Sequence, residues 1–315
     1  MKVIELAEPY MTNTVAQEPI VLALGFFDGV HRGHQAVIKT AAKKAQQLGV
    51  KLAVMTFDQH PSVIFQKKRA QDLRYLTTLD EKLTCFEELG ADIAYIVKFD
   101  EELAYLSPQT FVDKYIVGLH AKAVVAGQDY TYGPKEKANM QTLPLHAKGR
   151  FEVVAVDLLQ EETKIGSTAI RKALDQGDLA LVTRQLGHPY TTKGVVVHGF
   201  ERGRKLGFPT LNIETKANKK LPAVGVYAVK VKLADTPKEY MGMASIGYNE
   251  TFSADLAKTL EVNLFDFSKM VYGKKVTVFW EEMIREMVKF SGVAELVAQL
   301  EKDKANVEKI FRRKN

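Results

Sequence analysis

The sequence predicts an α/β protein with two domains, a doubly wound parallel sheet followed by a small antiparallel β-barrel with a C-terminal helix. The first half alternates short apolar runs with helical patterns, which is typical of parallel βαβ units. The second half replaces helices with closely spaced β-rich runs, which favours a small barrel. The change falls near Leu186, and 315 residues are long for one domain. We therefore predict domains at 1–186 and 187–315.

The composition excludes several classes of protein. Hydrophobic residues make up 46% of the chain, enough for real cores, so a disordered chain is excluded. The net charge of +6 suits anionic substrates such as nucleotides, and we expect no nucleic-acid partner. Cys85 is the only cysteine, which excludes an intramolecular disulfide and a cysteine-based metal site. Neither a signal pattern nor a membrane-length apolar run is present, so we expect a cytoplasmic enzyme of unknown oligomeric state.

Five strands are predicted in the first domain. Each is a short apolar run of the kind found in strands buried on both faces of a sheet. They cover residues 20–24, 52–57, 93–99, 123–126 and 151–156. Between them we predict helices over 79–89 and from Pro108. Residues 63–76 are charged and irregular and are predicted to form a loop.

The segment 25–34, GFFDGVHRGH, joins the first of these strands to an amphipathic helix with Val37, Ala41, Ala45 and Leu48 on one face. His31 and His34 are three residues apart and share a face of the first helical turn. Free N–H groups and the dipole make a helix start an anion site. Gly33 lets a phosphate approach the backbone. The sequence therefore predicts that two imidazoles hold a nucleoside triphosphate and stabilise charge developing on it.

This segment resembles the HxGH signature of nucleotidylyltransferases, and GFFDGVHRGH resembles that of bacterial bifunctional riboflavin kinase/FMN adenylyltransferases, also called FAD synthetases. The resemblance implies a first domain of nucleotidylyltransferase type with catalytic His31 and His34. It also implies ATP contacts by Gly25, Phe27 and Gly33. Two surface histidines on a loop are the alternative, which the strand, turn and helix together disfavour. No Walker A or GxGxxG pattern is present.

Two later segments of the first domain resemble the same family. Residues 127–133, GQDYTYG, are similar to GxDFxFG, which implies that Asp129 lies near the adenylyl-transfer site. Residues 165–171, IGSTAIR, resemble ISSTxIR with Gly166 in place of the first serine. Ser167 or Thr168 can cap the helix that follows, and Arg171 one turn later can fork onto phosphate oxygens. The resemblance implies phosphate contacts by Ser167 and Thr168 and a catalytic Arg171.

Strands of the second domain are predicted at 192–198, 225–233, 239–246, 260–264 and 275–280, and a helix at 293–311. The loop 199–212, GFERGRKLGFPTLN, carries its chemistry. Its glycines can wrap phosphates, and Arg204 and Lys205 supply charge. Thr210 and Asn212 alternate along a strand, so both side chains face one side, where their oxygens suit Mg²⁺.

This loop resembles the kinase motif GRxLGFPTAN of the same family. The resemblance implies a second domain of riboflavin kinase type. It also implies ATP contacts by five residues of the loop, namely Gly199, Arg204, Lys205, Gly207 and Pro209. Residues 260–264, LEVNL, resemble LExHL, and the carboxylate of Glu261 could accept the proton of a substrate hydroxyl. Glu261 is therefore the predicted base, with a strand-edge charge as the alternative.

The whole-chain resemblance implies a bifunctional enzyme. Riboflavin would be phosphorylated by ATP to FMN, and FMN would then receive AMP from a second ATP, giving FAD and pyrophosphate, with Mg²⁺. Gly166, Asn249 and Glu250 depart from the family patterns, so activity of only one half stays open. A non-catalytic flavin- or RNA-binding regulator is a further alternative, disfavoured because mere binding does not need the predicted catalytic set.

Overall fold

A computed structural model describes residues 1–10, 18–157, 165–199, 203, 206–248 and 258–314. The chain divides into two compact units, Met1–Ser167 (unit 1) and Thr168–Asn315 (unit 2). The domain boundary after Leu186 stays a prediction. Within the described ranges no helix is long and apolar enough to cross a membrane.

Unit 1 is built on a parallel sheet, which confirms the predicted fold class. Its strands among the described residues are β1 (Lys2–Leu6), β2 (Ile20–Leu24), β3 (Lys51–Phe57), β4 (Ile93–Val97), β5 (Ala121–Gly127) and β6 (Glu152–Val156). They lie in the order β1-β4-β3-β2-β5-β6, and all neighbours run parallel. The chain moves outward from β2 through β3 and β4, then returns to the other side of β2 at β5. The carboxyl ends of β2 and β5 therefore flank the topological switch point, where ligands bind in open α/β sheets.

Helices cover both faces of this sheet. They are α1 (Arg32–Leu48), α2 (Ser62–Phe65), α3 (Leu79–Glu88), α4 (Glu101–Ala104), α5 (Pro108–Val112), which continues as a π-helix (Asp113–Val117), and α6 (Leu143–Ala147). Alternate residues of β2 enter two separate cores. Val21 and Ala23 pack in the core that contains α1, whereas Leu22 and Leu24 pack in the core that contains α5. Burial on both faces explains why this strand is a continuous apolar run.

Three expectations for unit 1 need correction. Strand β1 was not predicted, because it lies at the sheet edge with mostly exposed residues and lacks a buried apolar run. The predicted loop 63–76 contains most of α2, and its last two residues, Tyr75 and Leu76, are buried. Leu48 is 44% exposed because it is the last residue of α1, beyond the contact with the sheet.

Unit 2 is an antiparallel barrel with helices, as predicted. Its elements are α7 (Ser167–Gln176), which starts at the last residue of unit 1, α8 (Leu179–Leu186), β7 (Tyr190–Val197), β8 (Leu211–Thr215), β9 (Gly225–Leu233), β10 (Glu239–Tyr248), β11 (Lys258–Leu264), β12 (Lys275–Arg285) and α9 (Val293–Lys314). The strands close in the order β10-β11-β8-β7-β12-β9, with antiparallel neighbours. Closure removes the exposed sheet edges that invite pairing with other chains.

The barrel core surrounds Trp280, the only tryptophan, which is fully buried. Its Nε1 donates to Thr192 Oγ1 at 2.9 Å, and its ring meets Tyr227 edge-on with centroids 5.2 Å apart. Satisfying the indole N–H allows this large side chain to be buried without an unpaired donor.

A buried ion pair joins helix α9 to β12. The guanidinium of Arg285 donates to both carboxylate oxygens of Asp303, with Nη2 to Oδ2 at 2.7 Å. Asp303 is fully buried, and Gln299 also donates to it at 2.8 Å. Removing the carboxylate would leave a partly buried cation without its partner.

We expect Asp303→Ala to lower the free energy of unfolding of unit 2 by about 2–4 kcal/mol, because a charged hydrogen-bond network is broken. Urea unfolding followed by Trp280 fluorescence measures unit 2 selectively. Glu301→Ala, an exposed acid on the same helix, is the matched control and should change stability by less than about 0.5 kcal/mol. Equal effects of the two substitutions would contradict this role of the ion pair.

Candidate functional site

The turn after β2 has a strained backbone conformation that is stabilised by tertiary contacts. Phe27 and Val30 have positive φ angles of 55° and 40°, which are unfavourable for these side chains. Phe27 is 1% exposed and packs edge-on against Phe86, so its ring is a core side chain. A Cβ at Gly25 would lie 2.7 Å from Cε1 of Phe27, and glycine is therefore required there.

Hydrogen bonds fix the middle of this turn. The Asp28 carboxylate accepts from Thr77 N at 3.1 Å, and Thr77 Oγ1 accepts from Gly29 N at 2.9 Å. The Asp28 carbonyl accepts from Ser167 Oγ at 2.8 Å. Helix α7 begins at Ser167 itself, and this hydroxyl holds the histidine turn. The structure thus brings Ser167 to the turn through Asp28.

The two histidines stack face to face at the start of α1. Their ring centroids are 3.6 Å apart with an interplanar angle of 20°. His31 is the N-cap residue, and its Nδ1 accepts from His34 N at 3.3 Å. His34 also meets the Phe27 ring edge-on at 5.3 Å. Its Nδ1 is buried and finds no hydrogen-bond partner among the residues that the structure describes. Gly33 lies between the histidines in the first turn of α1.

Both imidazoles are held in the neutral form. Burial lowers the pKa of His31 to about 4, against the opposing effect of the Asp129 carboxylate. Burial also lowers the pKa of His34 well below its usual value, and the nearby charges of His31 and Lys82 lower it further. Neutral imidazoles can each donate one N–H to an anionic group. At neutral pH each ring of the pair can therefore donate a hydrogen bond without carrying a formal charge.

Asp129 follows β5, on the opposite side of the switch point from the histidines. A Cβ at Gly127 would lie 3.2 Å from Asp129 Oδ1, so the carboxylate folds back over the strand end. Its charge acts on His31, which means that this loop and the histidine turn face each other within unit 1. The other predicted residues of this set, Thr168 and Arg171, lie on the first turns of α7 in unit 2. Their role in phosphate binding stays a prediction.

Sequence reasoning missed Lys82 and Thr56, which lie beneath the histidine turn. Lys82 is 3% exposed and its Nζ donates to Thr56 Oγ1 at 3.0 Å. A signal was present in the sequence, because Leu79, Lys82 and Phe86 are spaced as one helix face. A single charge on an otherwise apolar helix face marks a buried polar contact.

The candidate site of unit 2 lies where β8 and β11 pair. Asn212 is directly opposite Glu261 in the antiparallel register. Thr210 Oγ1 donates to Glu261 Oε2 at 3.2 Å, and Asn263 Nδ2 donates to the Pro209 carbonyl at 2.7 Å. Glu261 and Asn263 are two apart on one strand, so both reach the segment before β8 from one face. Sequence reasoning missed the part played by Asn263, which is buried.

Of the remaining predicted residues of the kinase loop, the structure describes Gly199 and Gly207. A Cβ at Gly199 would lie 2.0 Å from Asn212 Nδ2, so only glycine allows that amide its position. Gly207 has a φ of +80° and is exposed. Arg204, Lys205, Asn249 and Glu250 lie outside the described residues.

The low pKa of His31 predicts a pH-dependent stability of unit 1. Its pKa of about 4 lies below the usual 6.5. Between these two values His31 is protonated in the unfolded chain but stays neutral in the folded chain. Stability is therefore lost as the pH falls from about 6.5 towards 4, by roughly 1–2 kcal/mol at pH 5. His31→Gln should shrink the loss, measured by urea unfolding at pH 7 and pH 5 with NMR signals of unit 1. An undiminished loss in the variant would exclude His31 as its source.

Comparisons with known proteins cover both halves of the chain. A family model described as FAD synthetase matches residues 13–169, and one described as riboflavin kinase matches residues 186–311. Bifunctional riboflavin kinase/FMN adenylyltransferases from Listeria monocytogenes and Bacillus subtilis are 47% and 43% identical, each over 99% of this chain and 98% of their own. A crystal structure described as a macrolide-efflux protein from Streptococcus pneumoniae is 33% identical, with a TM-score of 0.89 and coverage of 98% and 99%. The chain belongs to the family of bifunctional riboflavin kinase/FMN adenylyltransferases.

Proposed function

We propose that residues 1–186 transfer AMP from ATP to FMN, giving FAD and pyrophosphate, and that residues 187–315 transfer the γ-phosphoryl group of ATP to riboflavin, giving FMN. The observation that carries the proposal is the neutral, stacked histidine pair at a helix start, in a chain of this family. A regulator that only binds flavin would have no use for such a pair.

In the adenylyl transfer, the FMN phosphate attacks the α-phosphorus of ATP and pyrophosphate leaves. Negative charge increases on the non-bridging oxygens and on the leaving group. His31 and His34 donate N–H groups to these oxygens, and the helix dipole at the start of α1 favours the same negative charge. Neutral donors already fixed by stacking need no reorganisation during the reaction. Gly25, Phe27 and Gly33 contribute backbone around the phosphates, with Asp129, Ser167, Thr168 and Arg171 as further proposed contacts.

In the phosphoryl transfer, Glu261 accepts the proton of the riboflavin 5′-hydroxyl as it attacks the γ-phosphorus. Thr210 donates its hydroxyl to Glu261 in the structure, which keeps the carboxylate aligned with the loop before β8. Gly199, Gly207 and Pro209 shape the backbone of this loop, and Arg204 and Lys205 are its proposed cationic contacts to the phosphates.

The residues of this site fit Mg²⁺. The Thr210 hydroxyl lies 3.2 Å from Glu261 Oε2, and Asn212 is opposite Glu261 on the neighbouring strand. Hydroxyl, amide and carboxylate oxygens are the hard donors that Mg²⁺ takes from proteins. We propose that Thr210 and Asn212 hold the ion. When bound, Mg²⁺ would neutralise phosphate charge.

We expect His31→Ala and His34→Ala each to slow FAD formation by about 100- to 1,000-fold, because one donor to the developing charge is lost. FMN formation by the same protein should stay within about twofold of wild type, since its site is in unit 2. Chromatography of products from riboflavin with MgATP, and from FMN with MgATP, measures both activities. His120→Asn is the matched control, because His120 directly precedes β5 and lies at the amino end of the strands, away from the histidine turn at their carboxyl ends. FAD formation that survives in both histidine variants would exclude the pair from the reaction.

We expect Glu261→Gln to lower kcat for FMN formation by about 100- to 10,000-fold while MgATP binding is kept, because a base acts mainly in the transition state. Thr210→Ala and Asn212→Ala should weaken MgATP binding as well as the rate. Steady-state kinetics measure kcat, and calorimetry measures MgATP binding. MgATP binding at the proposed nucleotide site of unit 1 should be unchanged in all three variants and serves as the internal reference. Glu239→Gln, an exposed acid of β10, is the control. Lost binding with a retained maximal rate in Glu261→Gln would reassign this residue to holding the nucleotide or metal.

A further inference from the structure

Lys82 is a buried cation at the centre of unit 1. Among the described residues of this unit it is the only buried lysine, with 3% exposure. Its Nζ donates to the carbonyl of Phe26 at 3.1 Å, to Thr56 Oγ1 at 3.0 Å and to the carbonyl of Phe57 at 3.4 Å. The ammonium also lies 4.3 Å above the centroid of the Phe26 ring. All three donors of the ammonium are thereby used within the protein.

These acceptors come from the carboxyl ends of two neighbouring strands. Phe26 follows β2 and starts the histidine turn, whereas Thr56 and Phe57 end β3. Thr56 Oγ1 itself donates to the Phe26 carbonyl at 2.8 Å, which closes the network. Thr77, just before α3, is hydrogen-bonded to the same turn through Asp28 and Gly29. Lys82 therefore links α3, β3 and the histidine turn in one place.

Two carboxylates favour the charged form of Lys82, and this charge acts on His34. Burial lowers the pKa of Lys82 to about 8, and Asp28 and Asp58 oppose that change, so the ammonium is charged at neutral pH. The groups whose charges act on His34 are His31 and Lys82, and both lower its pKa. The Asp129 carboxylate acts in the opposite direction on His31. Screening by salt is weak at a buried site, so this positive potential persists at physiological ionic strength.

Stability alone does not account for a lysine at this position. Burying an ammonium carries a large desolvation cost, and apolar replacement of buried ions is often neutral or stabilising. A methionine would fill the space of the lysine stem and cost less to bury. The neutral histidines supply donors without charge, so a site for polyphosphate gains from a fixed cation close behind them.

We propose that Lys82 is a positioning residue of the adenylyl-transfer site, whose buried ammonium anchors the histidine turn and places a fixed positive charge near His34. This inference rests on the proposed role of the histidine pair. Lys82 does not contact substrate. Its hydrogen bond to the Phe26 carbonyl holds the backbone of the turn in place, and its charge acts on His34.

The test compares Lys82→Met with wild type in the full-length chain. We expect kcat for FAD formation from FMN and MgATP to fall by about 10- to 100-fold, because misplaced donors lose transition-state contacts. FMN formation should be unchanged. The pKa of His34, followed by NMR of its ring protons, should rise by about 0.5–1 unit when the neighbouring charge is removed. The acidic limb of the pH–rate profile should move in the same direction. Lys39→Met, an exposed lysine of α1, is the matched control.

Two further variants keep the outcomes separate. Thr56→Val removes one acceptor of the ammonium at nearly constant volume, and we expect a loss of about 3- to 10-fold in kcat for FAD formation. If Lys82→Met does not fold, the test relies on Thr56→Val. A wild-type kcat for FAD formation in Thr56→Val then overturns the proposal. Wild-type kcat and an unmoved His34 pKa in folded Lys82→Met also overturn it. His34→Ala is assayed alongside. If His34→Ala still forms FAD, the proposed role of the histidine pair fails. If His34→Ala loses FAD formation while Lys82→Met keeps wild-type kcat and an unchanged His34 pKa, only the inference about Lys82 fails.

Discussion

Two imidazole rings stacked 3.6 Å apart cannot both carry a proton without strong repulsion, and the structure around them is arranged to keep them neutral. Burial is the main cause for each ring, and for His34 a buried ammonium adds to it. Stacking also fixes their orientation, because His31 caps the helix that carries His34. The candidate adenylyl-transfer site of unit 1 depends on this neutrality, since it allows two rigid donors to meet an anion side by side.

The backbone that presents the rings is strained and is held by contacts from elsewhere in the unit. Two residues of the turn have positive φ angles without being glycine. Hydrogen bonds of the turn with Thr77 and Ser167, together with the buried ring of Phe27, hold them there. Strain of this kind persists only when the surroundings over-determine it, and it concentrates at functional sites.

The candidate kinase site of unit 2 follows a different principle. Its polar groups come from neighbouring antiparallel strands, so strand register rather than a helix start brings Asn212 opposite Glu261. The buried amide of Asn263 holds the Pro209 carbonyl, which fixes the segment that carries Thr210. A closed barrel suits such a site, because its register cannot slip without moving every side chain to the other face.

The sequence by itself determined the class of both folds, most strand positions and the family, because buried strands and the glycine-containing motif loops each leave a continuous local pattern. It could not indicate β1, whose exposed edge position leaves little apolar signal, nor α2 within a charged segment. Only the tertiary structure decided which charges face the histidines. Lys82 lies 48 residues beyond His34, yet chain folding places its ammonium beneath the same turn. Hydrogen bonding, burial and pKa are properties of groups brought together across strands, and no local pattern encodes those distances.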